Sequence, residues 1–219
     1  MNSRWHGRAV IFDCDGTIAD SETLSLETWD VELSRFGYRL TDEDRQFCVG
    51  SSYEKCYGHF ASLIADLPPA DVFDVAYREH LDARYRSDLT AFEDALDVLE
   101  FLRENDIPVV VASNSDRRRL ALTMSLIGIE HLPSVAGDEV PSPKPAPDIF
   151  VRAAAVLGVE PNQCLVIEDS QPGVDGALAA GIPVWALQRA THAPVGASHL
   201  TRTLDRNTLV SLLDAQIPA

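Results

Sequence analysis

Short apolar runs, unbroken by polar alternation, recur along this chain at residues 9–13, 108–113, 134–137, 164–169 and 183–188, and they restrict its fold more than any other feature. A strand with one wet face alternates apolar and polar residues. A continuous apolar run is buried on both faces, as the strands of a parallel sheet are. Helical patterns separate the last four runs. Residues 91–105 place Ala95, Val98, Leu99 and Leu102 at helical spacing, and residues 117–127, 147–157 and 173–180 supply the other helices. Strand and helix alternating in this way predict an α/β core with helices on both sheet faces. Ligands of such sheets bind beyond the carboxyl ends of the strands, near the switch point of strand order.

The first strand breaks the rhythm. Between Thr17 and Ala91 only helical stretches occur, at residues 21–36, 42–49, 53–65 and 71–86, with a break at Asp66-Leu67-Pro68-Pro69. These residues are expected to form a separate helical unit inserted after the first strand. A chain of 219 residues with 46% hydrophobic and 24% charged residues is long enough for a sizeable core and ordinary for a globular protein. The net charge of −16 argues against nucleic acid as a partner, because phosphate backbones need a basic surface. An anionic small ligand would then need local positive charge. The 4 cysteines, Cys14, Cys48, Cys56 and Cys164, form no CxxC pair and no zinc-type cluster with histidine. They read as buried, reduced thiols. The N-terminus has no apolar signal core, and no run approaches the ~18 apolar residues of a membrane helix, so a cytoplasmic location is the expectation.

The polar residues fall at strand ends. The first strand runs into Asp13-Cys14-Asp15-Gly16-Thr17, which places two carboxylates at i and i+2 on the same side. Such a pair binds a hard divalent metal, divides labour as nucleophile and acid/base, or merely caps the next segment. The second strand ends Ser113-Asn114-Ser115, the fourth ends Glu168-Asp169-Ser170, and Lys144 precedes the helix at 147–157. Each alone has a plain reading as a cap, a turn or a solvated lysine. Together they put carboxylates, a hydroxyl and a lysine at one edge of one sheet.

This order and spacing resembles the haloacid dehalogenase-like hydrolase superfamily. The matching residues are Asp13-Cys14-Asp15-Gly16-Thr17, Ser113 after an apolar strand, Lys144 in Lys-Pro-Ala-Pro-Asp, and Glu168-Asp169-Ser170 with Gly173. The resemblance spans residues 8–188. It implies a Rossmann-like parallel-sheet core of residues 1–19 and 90–219, with residues 20–89 as an α-helical cap of the first type. It implies that Asp13 is the nucleophile that becomes an aspartyl phosphate, and that Asp15 is the acid/base. Asp169 and Glu168 would hold Mg²⁺ together with Asp13 and the backbone carbonyl of Asp15. Ser113 and the Asn114 amide would bind the phosphoryl group, and Lys144 would bridge it to the nucleophile.

The resemblance also ranks the reactions. The dehalogenases lack the second aspartate of the first motif, which is present here as Asp15. The β-phosphoglucomutase-like branch carries a histidine early in the first cap helix and an arginine in the following cap loop. Residues 20–30 contain no histidine, with Ser25 near the place, and Gly50-Ser51-Ser52-Tyr53 contains no arginine. A Mg²⁺-dependent phosphatase of a small phosphorylated metabolite is the better match. A phosphotransferase of the mutase type is the alternative, and a non-catalytic phospho-ligand module ranks below it. Gly50, Ser51, Ser52, Tyr53 and Lys55 are the expected substrate-selecting residues, although Ser51 or Ser52 could equally cap the next helix. A monomer or weak homo-oligomer is expected. The triplet Arg117-Arg118-Arg119 reads as a solvated helix face and the 6 histidines as scattered.

Overall fold

The structure, a computed structural model, describes residues 8–189 and 193–215. The N-terminal stretch relevant to a signal sequence, with His6, and also His192, lie outside the described residues. The strands are β1 (Ala9–Phe12), β2 (Val109–Ser113), β3 (Ser134–Ala136), β4 (Cys164–Glu168), β5 (Val184–Leu187) and β6 (His199–Thr201). They form one sheet in the order β3-β2-β1-β4-β5-β6, with every pairing parallel. The chain builds outward from β1 to β3, then returns to lay β4 on the other side of β1. The switch point therefore lies at β1.

The helices are α1 (Glu22–Ser34), α2 (Asp42–Cys48), α3 (Tyr53–Leu63), α4 (Ala70–Asp88), α5 (Glu93–Glu104), α6 (Arg117–Leu126), α7 (Asp148–Leu157), α8 (Gln171–Ala179) and α9 (Arg206–Ala215). The chain divides into two compact units, residues 1–19 with 91–219 and residues 20–90. In the first unit one sheet face is made by Ala9, Ile11, Val110, Ala112, Val166, Val184 and Ala186. It packs against Ile149, Phe150, Ala153 and Ala154 of α7 and Val174 and Ala177 of α8. The alternate positions, Val10, Phe12, Val111, Leu165, Ile167 and Trp185, are equally buried. Burial on both faces is what makes these strands read as continuous apolar runs.

The second unit, residues 20–90, has its own core. The Trp29 ring of α1 is stacked with Tyr53 of α3 and Phe73 of α4, at centroid distances of 5.4 and 5.5 Å, and Phe60 and Tyr77 complete the cluster. Aromatic stacks of this kind add about 0.5–1.5 kcal/mol each beyond area burial. Among the described residues no helix is long and apolar enough to cross a membrane.

The sequence pattern misses two elements. β6 is a three-residue edge strand, His199–Thr201, of half-exposed and exposed residues, so it carries no apolar run. α9 buries only Leu209 and Leu213, a four-residue spacing too sparse to stand out in its polar surroundings.

Candidate active site

β1 ends at Phe12, so Asp13 is the first residue past the sheet. Its amide still donates to the Ile167 carbonyl of β4 at 2.9 Å, which fixes where the side chain starts. Glu168 closes β4 on the adjacent strand and Asp169 follows it. Ser113 closes β2 on the other side of β1. Three neighbouring strands of the switch point thus deliver their terminal side chains to one place.

Lys144 joins them from the loop before α7. Its ammonium donates to Asp13 Oδ1 at 2.5 Å, Glu168 Oε1 at 2.8 Å and the Ala112 carbonyl at 2.9 Å. All three of its protons are thereby engaged. The backbone of Lys144 is held as firmly. Its amide donates to Asn114 Oδ1 at 2.8 Å, and Asn114 Nδ2 donates to its carbonyl at 3.2 Å. Asn114 therefore contributes its side chain here, clamping the lysine loop. Contact of Lys144 with a phosphoryl group requires one of the three ammonium bonds to exchange.

Glu168 is gripped from the other side. Ser170 donates to its Oε2 through both backbone amide and hydroxyl, at 2.7 and 2.9 Å. The same hydroxyl accepts from the Gly173 amide at 3.2 Å, making Ser170, rather than Glu168 or Asp169, the N-cap of α8. Gly173 has no room for a side chain, because a Cβ there would occupy the Glu168 carboxylate. Gly173→Ala is expected to destabilise the protein by about 1–3 kcal/mol, as overpacking does. Urea titration measures this, and wild-type stability would show that the carboxylate shifts freely. Asp169 lies against the turn at Gly16, whose φ of +82° suits glycine and whose Cβ position the carboxylate fills. Thr17 Oγ1 donates to Asp169 Oδ1 at 3.0 Å.

Asp15 points elsewhere. Its Oδ2 accepts from the hydroxyls of both Ser113 and Ser115, each at 2.9 Å. Ser115 therefore belongs to the site, and Asp116 is the residue that caps α6, accepting from the Arg119 amide at 2.8 Å. Sequence reasoning left Ser115 as a possible cap and gave Thr17 no role. Each bonds a residue distant along the chain, and no periodicity marks that.

The electrostatics of this group favour a cation. Asp13, Glu168, Asp169 and Lys144 are 6%, 0%, 5% and 6% exposed. Burial pushes the Asp13 carboxyl well above the usual carboxylate value. Glu168 and Asp15 push the same way, and Lys144 opposes them. Burial would also strip the proton from Lys144, but the Asp13 and Glu168 carboxylates outweigh it and hold the ammonium above the ordinary lysine value. The oxygens of Asp13, Glu168 and Asp169 that could serve as ligands lie within 4.8 Å of one another. Three carboxylates against one ammonium leave two negative charges in excess in a buried place, a hard-oxygen donor set suited to a divalent cation such as Mg²⁺. The Asp15 carboxylate is outside this group.

The remaining residues singled out in the sequence have local partners. Ser52 caps α3, accepting from the Lys55 amide at 3.3 Å, and Ser51 Oγ donates to the Phe47 carbonyl at 2.7 Å. Gly50 adopts φ +68°. Tyr53 donates to the Ala70 carbonyl at 3.1 Å, and the Lys55 ammonium lies 5.6 Å from the centre of the Phe47 ring. Arg117 pairs with Glu139 and Ser134 while its side chain stays 38% exposed. None of the four cysteines is in a disulfide, and all four are buried.

The model of the haloacid dehalogenase-like hydrolase family matches residues 8–181. The chain is 32% identical over 187 residues to Suppressor of Quenching 1, chloroplastic, of Arabidopsis thaliana, a match that covers 82% of this chain and 18% of that protein. It is 30% identical over 186 residues to fructose-1-phosphate phosphatase YqaB of Escherichia coli, covering 83% of this chain and 96% of the relative. A solved hydrolase from Deinococcus radiodurans R1 with bound phosphate and sodium aligns with a TM-score of 0.73 and 30% identity, over 96% of this chain and 98% of that one.

Proposed function

Because the chain belongs to the haloacid dehalogenase-like hydrolase family, we propose that this enzyme is a Mg²⁺-dependent phosphatase of small phosphorylated sugars that works through an aspartyl phosphate. The observation that carries the reading is the buried group of Asp13, Glu168 and Asp169 at the ends of adjoining strands, with Lys144 brought to them from the loop before α7. The name of the E. coli relative, a sugar-phosphate phosphatase aligned over nearly its whole length, supports the substrate class.

The contacts support the following division of labour. Asp13 attacks phosphorus through a carboxylate oxygen while the bond to the sugar oxygen breaks. Asp15 gives that leaving oxygen its proton. The resulting Asp15 carboxylate then takes a proton from water, whose oxygen attacks phosphorus, frees Asp13 and yields inorganic phosphate. Lys144 keeps Asp13 oriented and its charge partly neutralised, which allows a carboxylate to approach a phosphate dianion. The Ser113 hydroxyl, which donates to Asp15 Oδ2 alongside Ser115, would turn to donate to a phosphoryl oxygen. Mg²⁺, held by Asp13, Asp169, Glu168 and the Asp15 carbonyl, would supply the positive charge that the transferring phosphoryl group needs.

A phosphate-release screen over sugar phosphates, phosphoglycolate and nucleotides tests the proposal. Turnover of a sugar phosphate is expected with Mg²⁺, and chelation with EDTA should lower it by roughly a hundredfold or more, the equivalent of several kcal/mol of lost charge stabilisation. Full turnover in EDTA would sink the metal role. Tight binding without phosphate release would indicate a binding module, and interconversion of hexose-phosphate isomers a mutase.

A further inference from the structure

Phosphate chemistry accounts for the residues at the strand ends but not for Arg189, which follows β5. Its side chain is 11% exposed, and its guanidinium grips the Asp94 carboxylate with two bonds, of 2.8 and 3.0 Å. The same plane lies 3.9 Å from the centre of the Phe92 ring. Nη2 also reaches the Thr17 carbonyl at 3.5 Å, across 172 residues of sequence. The Asp94 carboxylate is itself anchored by the Leu204 amide at 2.8 Å. Among the described residues, Nε is buried with no hydrogen-bond acceptor.

The three residues under the guanidinium have a common location. Thr17 precedes the point where the chain leaves this unit for residues 20–90, and Phe92 and Asp94 follow the point where it returns. The two segments are joined by the Phe92 amide on the Ile18 carbonyl at 2.8 Å and by a bridge between Ala19 and Ala91. Arg189 thus holds both chain crossings at once. Only a planar, permanently charged group can stack on a ring and grip a carboxylate with a fork, so lysine is no substitute.

Thr17 is fully buried, and its hydroxyl orients Asp169. We infer that Arg189 is a positioning residue for the cation site: anchored on Asp94 and Phe92, it fixes the Thr17 turn that aims the Asp169 carboxylate. The inference rests on the proposed role of Asp169 in holding Mg²⁺. Groups that orient metal ligands from behind typically account for about tenfold to a hundredfold in metal affinity. Thr17 acts on the ligand directly and Arg189 through one further link, so the Arg189 effect should be the smaller.

Isothermal titration of Mg²⁺ into the full chain, without substrate, tests this independently of turnover. Thr17→Val should raise Kd about tenfold and Thr17→Ser should restore it. Arg189→Met should raise Kd about threefold to tenfold, and the double variant Arg189→Met/Thr17→Val should be no weaker than Thr17→Val alone, because both act along one path. A wild-type Kd in Arg189→Met, whatever its Tm, would reduce Arg189 to a structural tie and overturn the inference. Should Arg189→Met not fold, Arg189→Lys answers the same question, weakened Mg²⁺ binding supporting the inference and wild-type binding overturning it. Failure of the wild-type chain to bind Mg²⁺ at all would instead remove the metal from the proposed function, a distinguishable result.

Discussion

Asp13→Asn is expected to abolish phosphate release, lowering turnover by at least about 10⁴-fold, as loss of a covalent nucleophile does in other enzymes. An amide oxygen is a poor nucleophile because its lone pairs are delocalised, and without a negative charge it draws no cation. The fold should survive the change. The amide oxygen still accepts the Lys144 proton that Asp13 Oδ1 accepts now, and Lys144 keeps Glu168 and the Ala112 carbonyl. Burial already disfavours the Asp13 charge, so neutralising it relieves repulsion from Glu168. The metal-free variant should therefore stay within about 1 kcal/mol of wild type. Turnover and thermal unfolding measured together make the test specific. Retained turnover would exclude the aspartyl-phosphate route. Lost turnover in an unfolded chain would point to a structural role for Asp13 instead.

Lys144→Met should fail in the opposite way, losing stability as well as activity. The substitution leaves Asp13, Glu168 and Asp169 buried with no counter-charge in the metal-free protein. Removing one partner of a buried ion pair costs about 3–5 kcal/mol. In a chain of this size that is a fall in Tm on the order of 10 °C. Mg²⁺ should recover part of the loss, because it supplies positive charge to the same oxygens. A Tm unchanged by Lys144→Met would mean that water reaches the carboxylates. The pH dependence has a definite sign. The pKa of Lys144 is raised in the folded protein, so its stabilising contribution is complete below the ordinary lysine value of 10.5 and disappears only as pH climbs beyond it, through the raised value. Wild type and Lys144→Met should therefore differ most near neutral pH and converge in strong alkali.

The contrast between these two variants separates the roles of two residues that touch. On the proposed mechanism Asp13 contributes reactivity at some expense to stability. Lys144 contributes the charge that makes burial of the carboxylates tolerable. Sites that raise one group's pKa by burial while holding a neighbour's charge in place are where such functional strain concentrates.

Legibility of the fold followed burial. Residues 9–13, 108–113 and 164–169 could be read as strands because a sheet covered on both faces demands apolar side chains at every position. β6 could not, because an edge strand of exposed residues makes no such demand. Of the candidate site, Asp13, Asp15, Ser113, Glu168 and Asp169 were visible as polar residues abruptly following apolar runs, and Lys144 as a lysine in the Pro-rich loop before a helix. What each one touches was not visible. Ser113 turns to Asp15, Ser115 joins it, Asn114 uses its side chain to clamp the Lys144 loop, and Thr17 orients Asp169.

The division has a physical basis. Apolar burial and helical spacing are local demands repeated at each residue, so the succession of β1 to β5 along the chain, the helices between β1 and β2, and the acidic strand ends were legible in the sequence alone. The partners of those strand ends lie 98 residues away for Ser113 and Asp15, 131 for Lys144 and Asp13, and 172 for Arg189 and Thr17. Those pairings exist only once parallel strands bring distant segments to one sheet edge. The tertiary structure alone decides them, because a hydrogen bond or ion pair is specified by where two groups meet, and nothing in either neighbourhood of sequence records the meeting.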